Sequence, residues 1–388
     1  MKSRLLFVIG SLDYGGAERH LVRILPGLAK TWDITVFTLS HPGAQADELR
    51  AKGVKVRSSW LGPKKNTGRF YRSIRQLGAV SALVCHLLVE RPKIVHYFLP
   101  QAYMIGAPCA LLLGIRTHVM SRRSRNFYQS KYLYVAKIER VLHRFMTAVL
   151  GNSLEVIKDL RSEGVAESKL GLIYNALAPG ELAIAPDKNS RRDLLELPND
   201  ALVLVKVANL IPYKGHRDLI DALALVDRNI PWHLLCIGGD SGILGELQAH
   251  AEKLGISDRI VWLGRRADVE RFLKIADIGV LASHEEGFSN SILEYMAAQL
   301  PVIVTRVGGA AEAIKDGETG ILVPPHNPPA LAEAIVRLAD PEIRRSMGKA
   351  GREQLISKFS YDKCIENYET LYRSLMSGQG IPPTLKHV

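Results

Sequence analysis

The chain has few cysteines and no apolar run long enough to cross a membrane. Its 388 residues contain four cysteines, which are far apart and form no C-x-x-C pair: Cys85, Cys109, Cys236 and Cys364. This pattern argues against a disulfide framework and favours a reducing, cytoplasmic location. The longest apolar tract, residues 104–115, is broken by Pro108 and falls short of the roughly 20 residues that a membrane helix needs. The N-terminal apolar run, residues 5–9, is too short for a secretion signal.

Motifs of several common enzyme and nucleic-acid-binding classes are also missing. There is no Walker phosphate loop, no G-x-G-x-x-G dinucleotide fingerprint and no G-x-S-x-G nucleophile motif. No spacing of histidine, cysteine and acidic residues indicates a metal site, so we expect no metal requirement. No helix-turn-helix, RRM, KH or zinc-finger pattern is present, which argues against a nucleic-acid partner.

Basic residues are concentrated in the first half of the chain. Residues 1–185 contain 27 Lys and Arg against 12 Asp and Glu, a net charge of +15, and the remainder contains 24 against 27, a net charge of −3. Such an excess predicts an anionic partner, which could be nucleic acid, anionic lipid or an anionic small molecule. The basic residues that a nucleic acid could follow are those at positions 64, 65, 72, 75, 122, 123 and 125.

Short apolar runs alternate with helical segments through both halves of the chain. A chain of 388 residues exceeds one ordinary core, and this alternation indicates parallel sheets covered by helices on both faces. We therefore predict an α/β fold with two doubly wound domains, residues 1–180 and 199–365, that face a central cleft. Residues 181–198 form the predicted linker, and residues 366–388 form a C-terminal helix and tail that could return to the first domain.

The segment 282–296 joins a predicted buried strand to a predicted buried helix. Ser289, Asn290 and Ser291 are all good helix N-caps. A helix start at a strand end suits a phosphate, because it presents backbone N–H groups and the positive end of the helix dipole. Glu286 precedes this start and Glu294 follows it, so both could reach a bound ligand. The run from Ser291 to Glu294 is also a capping box, in which Glu294 would only tie down the helix.

Other polar clusters follow the remaining predicted strands of the second domain. Lys214 and Gly215 lie beside a helix start, where a lysine can neutralise a phosphate, although a solvated loop lysine is the simpler interpretation. Glycines and arginines follow three more strands, at Gly238, at Gly264 with Arg265, and at Arg306 with Gly308 and Gly309. Because the carboxyl ends of parallel strands share one edge of a sheet, the clusters together predict a ligand site.

These motifs resemble the retaining sugar-nucleotide glycosyltransferases of family 4, which have the GT-B fold of two Rossmann-like domains. The segment from Glu286 to Glu294 resembles the family's E-x7-E element, and Lys214 with Gly215 resembles its phosphate-binding motif. The resemblance covers nearly the whole chain and is strongest from Val203 to Leu338. In the first domain the matching positions are Gly15, Gly16, Glu18, His96, Asn152, Ser153, Tyr174 and Asn175.

The resemblance implies a role for each matching residue of the second domain. Glu286 would hold the transferred sugar and Lys214 would bind the diphosphate, so both are implied catalytic residues. Glu294 would bind the ribose hydroxyls, and the base would lie near Arg265. The other implied donor-binding residues are Gly15, Gly16, Asn209, Gly238, Gly287, Phe288, Ser289, Asn290 and Ser291. Members of the family usually need no metal, because a helix dipole and basic side chains carry the charge of the leaving group.

Two positions depart from the family pattern. Asn209 stands where the family commonly has an arginine on the diphosphate, so we predict that another basic residue, Arg122 or Arg123, compensates. A catalytic histidine is common near the end of the strand that holds residues 118–121, but the equivalent position here is Arg122. His96, at the end of another strand, is a candidate for the acceptor or phosphate side, with a structural role as the alternative.

The sequence thus predicts a retaining hexosyltransferase with a nucleotide-diphosphate sugar as donor and uridine as the default base. The acceptor would be a glycan or a lipid-linked intermediate in cell-surface polysaccharide or glycoconjugate biosynthesis. The basic first domain predicts a peripheral contact with an anionic membrane surface on the cytoplasmic face. The alternatives are an epimerase or phosphorylase with the same donor pocket, or a basic nucleic-acid-binding protein.

Overall fold

The computed structural model describes residues 2–59, 69–126, 128–129, 132–182, 195, 197–198 and 200–386. The chain divides into two compact units, the first made of residues 1–176 and 361–388 and the second of residues 177–360. Residues 361–365 thus group with the first unit, whereas we assigned them to the second domain from the sequence. Most of the predicted linker, and the basic positions 64 and 65, lie outside the described residues.

The first unit is built on a seven-stranded parallel sheet in the order β3-β2-β1-β4-β5-β6-β7. Its strands are short apolar runs, as expected where helices cover both faces of a parallel sheet. The strands are β1 (Arg4–Ile9), β2 (Asp33–Thr38), β3 (Lys55–Ser58), β4 (Ile94–Phe98), β5 (Thr117–Arg122), β6 (Ala148–Gly151) and β7 (Leu170–Leu172).

Helices connect these strands and cover the sheet. They are α1 (Gly16–Leu28), α2 (Ala46–Ala51), α3 (Arg69–Glu90), α4 (Pro100–Leu112), α5 (Leu133–His143) and α6 (Leu154–Ser162). Along β1, Phe7 lies in one apolar core and Val8 in the other, because successive side chains of a strand point to opposite faces.

The second unit repeats this plan with a six-stranded parallel sheet in the order β10-β9-β8-β11-β12-β13. Its strands are β8 (Leu202–Val207), β9 (Trp232–Ile237), β10 (Ile260–Gly264), β11 (Ile278–Leu281), β12 (Val302–Thr305) and β13 (Gly320–Val323). Its helices are α7 (His216–Leu225), α8 (Leu244–Lys253), α9 (Val269–Ile275), α10 (Asn290–Ala297), α11 (Pro328–Arg337) and α12 (Pro341–Lys358). The predicted α/β fold with two doubly wound parallel sheets is therefore confirmed.

The strand order decides where the second unit can bind a ligand. Strand β8 lies between β9 and β11. After β8 the chain forms β9 and β10 on one side of it, and then β11, β12 and β13 on the other side. The carboxyl ends of two strands at such a reversal diverge and leave a crevice. The loops that follow β8 and β11 carry Lys214 and Glu286, the two residues that the sequence singled out most strongly.

The last helix, α13 (Tyr361–Met376), belongs to the first unit. The hydroxyl of its Tyr368 lies 3.0 Å from His20 Nε2, and Thr31 Oγ1 donates a hydrogen bond to its Glu369 at 2.7 Å. Its buried tyrosines and leucines complete the core that contains Phe7. None of the described helices is both long and apolar enough to span a membrane.

Candidate active site

An ion pair between Lys214 and Glu286 lies at the crevice of the second unit. Lys214 ends a 3-10 turn, Pro212–Lys214, that follows β8, and Glu286 lies in the loop that follows β11. Lys214 Nζ donates a hydrogen bond to Glu286 Oε1 at 2.7 Å, and Ser283 Oγ donates one to the same oxygen at 2.9 Å. The side chains of Lys214 and Glu286 are only 18% and 9% exposed. The structure thus brings the two predicted catalytic residues into direct contact.

The environment of Lys214 keeps it charged. Burial alone would lower the pKa of Lys214, but the Glu286 carboxylate and Tyr213 together raise that pKa above its ordinary value. Lys214 therefore presents a permanent cation at the crevice, and a phosphate could take over from Glu286 as its counter-charge.

Two glycines allow the loops of this site to touch. Gly215 has a φ of +63°, and a Cβ added there would lie 1.8 Å from the Ala282 carbonyl oxygen. Gly308 has a φ of +48°, and its added Cβ would lie 1.8 Å from the Glu286 carbonyl oxygen. Both positions combine a left-handed backbone with no space for a side chain. The backbone contacts at Gly215 and Gly308 therefore fix the loops that carry Lys214 and Glu286.

Helix α10 begins at Asn290, directly after this loop, with Ser289 as its N-cap. The Ser289 side chain makes no capping hydrogen bond, and its Oγ lies 2.9 Å from Ser291 Oγ. Ser291 is the second residue of the helix and Glu294 the fifth, whereas a capping box needs the serine before the helix and the glutamate at its third residue. Ser291 and Glu294 therefore do not occupy the positions of a capping box.

Glu294 and Tyr295 lie on the buried first turns of α10. The Tyr295 hydroxyl accepts a hydrogen bond from the Val207 backbone N–H at 2.7 Å, which ties α10 to the end of β8. The ring of Tyr295 packs so closely over Gly279 of β11 that a Cβ at this glycine would lie 2.3 Å from the ring. Packing thus holds the start of α10 at the crevice, and Glu294 with it.

The loops after β8, β9 and β10 form the next part of the same sheet edge. Asn209 Oδ1 accepts a hydrogen bond from the Gly239 N–H at 2.9 Å, and a Cβ at Gly238 would lie 2.0 Å from the Ala208 carbonyl oxygen. The Arg265 guanidinium covers Gly239, at 2.8 Å from the position of an added Cβ. The structure therefore places Asn209, Gly238 and Arg265 close together at this edge of the sheet.

Comparison with known proteins identifies the family. The Glycosyltransferase Family 4 model matches residues 14–180, and the Glycosyl transferases group 1 model matches residues 187–354. A D-inositol 3-phosphate glycosyltransferase of Corynebacterium glutamicum is 33% identical over 97% of this chain and 96% of its own length. The chain belongs to glycosyltransferase family 4.

Two other similar proteins extend the comparison. N-acetyl-alpha-D-glucosaminyl L-malate synthase of Bacillus anthracis is 32% identical over 48% of this chain and 50% of its own length. The match thus spans about half the length of this and several other curated relatives. The crystal structure of HepE from Anabaena, in complex with UDP and glucose, has a TM-score of 0.82 at 21% identity and covers 96% of this chain and 100% of that chain. This likeness confirms the predicted GT-B fold.

Gly15 and Gly16, two of the family 4 positions in the first unit, lie at the start of α1. Gly15 is the N-cap and Gly16 the first helical residue. The Glu18 carboxylate lies over Gly15, 2.2 Å from the position of an added Cβ. Burial and the nearby Asp13 raise the pKa of Glu18, although a backbone hydrogen bond opposes them. A side chain at Gly15 would displace this carboxylate.

His96 does not reach a surface of the first unit. It is 0% exposed, and its Nδ1 and Nε2 lie 2.8 Å from the Tyr372 hydroxyl and 2.7 Å from the Ser121 hydroxyl. Burial lowers the pKa of His96 well below its ordinary value. Both ring nitrogens are therefore engaged in the core. His96 therefore has the structural role that was the alternative to its predicted role on the acceptor or phosphate side.

Arg122 is also buried, which corrects its predicted role on the diphosphate. Its side chain is 1% exposed, and its guanidinium donates hydrogen bonds to Glu139 at 3.1 Å and to Glu163. If Arg122 turned toward a donor, the buried carboxylates of Glu139 and Glu163 would lose their counter-charge. Arg123, its neighbour, donates a hydrogen bond to Asn175 at 2.5 Å and lies over the Phe98 ring. A ligand role for Arg123 stays a prediction.

Lys206, a buried cation in β8, is not among the residues that the sequence predicted. Lys206 is 0% exposed, and its Nζ has no hydrogen-bond partner among the described residues. Burial lowers the pKa of Lys206 to about 8, and the charges that act on it include Lys214, Glu286 and Asp218. A lysine within the otherwise apolar strand Leu202–Val207 was the signal that could have revealed it.

Asp218, His284 and His326 form a further polar group in the second unit. Asp218 lies in the first turn of α7, His284 lies two residues before Glu286, and His326 lies between β13 and α11. One ligand atom from each residue lies within 4.8 Å of the other two, which is close enough for the three to share a metal ion. Their spacing in the sequence gave no sign of this group.

Proposed function

We propose that this protein is a retaining glycosyltransferase that moves a hexosyl group from a UDP-sugar to a glycan or lipid-linked acceptor in cell-surface polysaccharide or glycoconjugate biosynthesis. The bond between the anomeric carbon and the diphosphate oxygen breaks, and the acceptor oxygen bonds to that carbon on the same face. UDP leaves with the electron pair, and the proton of the acceptor hydroxyl passes to the departing diphosphate. The contact between Lys214 and Glu286 beside the start of α10 is the observation that carries this proposal.

Lys214 and the N-terminus of α10 bind the diphosphate in this proposal. A charged lysine and a helix N-terminus both stabilise the negative charge that develops on the leaving group. These groups allow the transfer to proceed without a metal ion. The buried cation Lys206 adds positive potential below the same loops, although it does not replace the missing arginine at Asn209 by direct contact.

Glu286 holds the transferred sugar near its reacting carbon, and Glu294 binds the ribose hydroxyls. When the diphosphate binds Lys214 in place of Glu286, the Glu286 carboxylate can accept hydrogen bonds from sugar hydroxyls. The position of Glu294 on α10, next to the proposed diphosphate position at the start of the helix, supports a ribose contact. The base lies near Arg265.

Uridine as the base is supported by HepE, whose crystal structure contains UDP and glucose. A thermal-shift screen of UDP-, GDP- and ADP-sugars tests the donor. A donor present at a hundred times its Kd stabilises the protein by about 2.7 kcal/mol. Stabilisation by UDP-sugars alone supports the proposal, and stabilisation by another nucleotide sugar would replace uridine. No stabilisation by any of them contradicts the donor site.

The acceptor is anionic or lies at an anionic surface in this proposal, because residues 1–185 carry a net charge of +15. The names of two relatives contain an anionic molecule, L-malate in one and inositol 3-phosphate in the other. Co-sedimentation with vesicles of anionic and of neutral lipid tests the membrane contact. Binding to anionic vesicles alone, reversed by salt, supports it, and no binding at low salt contradicts it.

Product analysis tests the reaction itself. With a bound donor and an acceptor, transfer releases UDP and forms a glycoside whose anomeric configuration, read by proton NMR, matches that of the donor. An altered sugar without any acceptor would indicate an epimerase, and a requirement for inorganic phosphate would indicate a phosphorylase. An inverted product would contradict the retaining mechanism.

A further inference from the structure

The group formed by Asp218, His284 and His326 is organised around a single carboxylate oxygen. His284 Nε2 lies 2.9 Å from Asp218 Oδ2, and His326 Nδ1 lies 3.9 Å from the same oxygen. The two imidazole rings are in contact, with their centroids 3.7 Å apart at an interplanar angle of 35°. We propose that these three residues bind one divalent transition-metal ion of the zinc class. This inference does not depend on the proposed transfer reaction.

The ligand set favours this class of ion over others. Two imidazole nitrogens and one carboxylate oxygen are common zinc ligands, whereas magnesium and calcium prefer sites made of oxygen alone. The two imidazole nitrogens and the carboxylate oxygen lie within 4.8 Å of one another, so a single ion can contact all three.

The backbone holds two of the three ligands in place. The His284 N–H donates a hydrogen bond to the Tyr213 carbonyl at 2.7 Å, and Gly215 packs against Ala282 just before His284. Asp218 follows Gly215 closely, in the first turn of α7. The side chains of Asp218 and His284 are 16% and 23% exposed. The fold therefore presents these two ligands together at the carboxyl edge of the sheet.

His326 is the adjustable member of the group. Its side chain is 66% exposed, and its backbone has a φ of +56°, in the left-handed region that favours glycine. Nitrogen and oxygen ligands about 2.0 Å from a tetrahedral ion lie ~3.3 Å from one another. Since the three ligand atoms lie within 4.8 Å, a small movement of His326 is enough to close the site. Water can fill the remaining coordination position through this exposed side.

The proposed ion stabilises the second unit and takes no part in the transfer. It joins three segments that are distant in sequence: the loop after β11, the start of α7 and the segment before α11. The Glu286 carboxylate is bound to Lys214 and Ser283 and not to this group. A chelator should therefore lower the melting temperature without abolishing transfer, which separates this inference from the proposed function.

Zinc titration of the metal-free protein tests the site. We expect calorimetry to show one site for Zn²⁺, with a higher melting temperature, and little effect of Mg²⁺. Co²⁺ at the same site should give the visible absorption of a four- or five-coordinate complex with nitrogen and oxygen ligands. No binding of Zn²⁺ at millimolar concentration overturns the proposal.

Two variants decide whether the bound ion lies at this group. His326→Gly removes one ligand where the backbone already favours glycine, so the metal-free variant should remain folded. It should bind Zn²⁺ at least about tenfold more weakly. Even the loss of a residue that only hydrogen-bonds to a metal ligand weakens metal binding by about this factor. His250→Gln is the matched control, because His250 pairs with Asp221 at 2.5 Å but is not a member of the group. Equal affinity in His326→Gly and the wild type, or a loss in the control, overturns the assignment.

Discussion

Lys214 Nζ and Glu286 Oε1 lie 2.7 Å apart, although 72 residues separate them in the chain. The contact pairs the predicted phosphate ligand with the predicted sugar ligand before any donor is bound. Each charge stabilises the other while the donor is absent, so neither is left buried without a partner. Both are then available, at fixed positions, when the diphosphate and the sugar enter.

Glu286→Gln should remove most of the transfer activity while it preserves donor binding. Glutamine can still accept the hydrogen bonds of Lys214 and Ser283, so the loop should keep its structure. The lost charge should lower kcat by about two orders of magnitude, the scale for removing a strong electrostatic contact from a transition state. Steady-state kinetics and calorimetry with UDP measure the two effects. Glu285→Gln is the control, and an unchanged rate in Glu286→Gln would remove this residue from the mechanism.

Gly215→Ala should destabilise the second unit far more than Gly317→Ala. Both glycines have positive φ values, +63° and +78°, so each substitution imposes the left-handed strain of about 1–2 kcal/mol. An added Cβ meets the Ala282 carbonyl oxygen at 1.8 Å in the first case and nothing within 4 Å in the second. Strain and overlap together should lower the free energy of unfolding of Gly215→Ala by about 3 kcal/mol or more. Urea unfolding measures both, and equal losses would contradict the close contact.

Lys206→Met should stabilise the protein at neutral pH and weaken UDP binding. Burial holds the pKa of Lys206 at about 8, below its ordinary value of 10.5, so the charged form opposes folding. Between pH 8 and 10.5 the unfolded chain keeps the proton that the folded protein has lost, so the wild type gains stability as the pH rises. The free energy of unfolding of Lys206→Met should exceed that of the wild type by up to about 3 kcal/mol below pH 8, and the difference should disappear above pH 10.5.

Urea unfolding at a series of pH values measures this difference, and calorimetry measures UDP affinity. Lys315→Met is the control, because the Lys315 side chain is 67% exposed and should show neither effect. A loss of stability in Lys206→Met at pH 7 would show that Lys206 contributes favourable contacts to the fold.

Glu163→Gln should destabilise the first unit by up to about 3 kcal/mol, because Arg122 loses one of its two buried carboxylates and keeps only Glu139. Burial alone would raise the pKa of Glu163, but hydrogen bonds from His143 and Arg122 lower it to about 2. The stability that this charge contributes is complete above the unfolded pKa of about 4.3 and is lost as the pH falls toward 2. The variant should therefore lose less stability than the wild type over that range.

Unfolding at pH 7 and at a series of acidic pH values measures this effect, with UDP binding at pH 7 as a second observable. Glu342→Gln serves for comparison, since Glu342 and Arg345 form an exposed pair whose loss should change little. Unchanged UDP affinity in Glu163→Gln would agree with a structural role for Arg122. A loss of UDP affinity without a loss of stability would indicate that Arg122 belongs to the donor site.

The sequence by itself determined the fold class and the centre of the candidate site, because both depend on local patterns. Short apolar runs and helical segments alternate, and only parallel sheets covered by helices bury such a pattern. Lys214, Glu286 and Glu294 follow predicted strands or begin helices, and parallel strands place their carboxyl ends at one edge. Position along the chain was therefore enough to place these residues together.

Only the tertiary structure decided what depends on side-chain burial and on contacts between distant segments. Arg122 ends β5 and His96 lies within β4, and neighbouring carboxylates and hydroxyls hold both side chains inside the first unit. The start of α10 at Asn290 excluded the capping box, because a shift of one or two residues changes which side chain can reach the helix end. Lys206 and the group of Asp218, His284 and His326 became visible only in three dimensions, since a sequence does not show which charges are buried or which histidines meet.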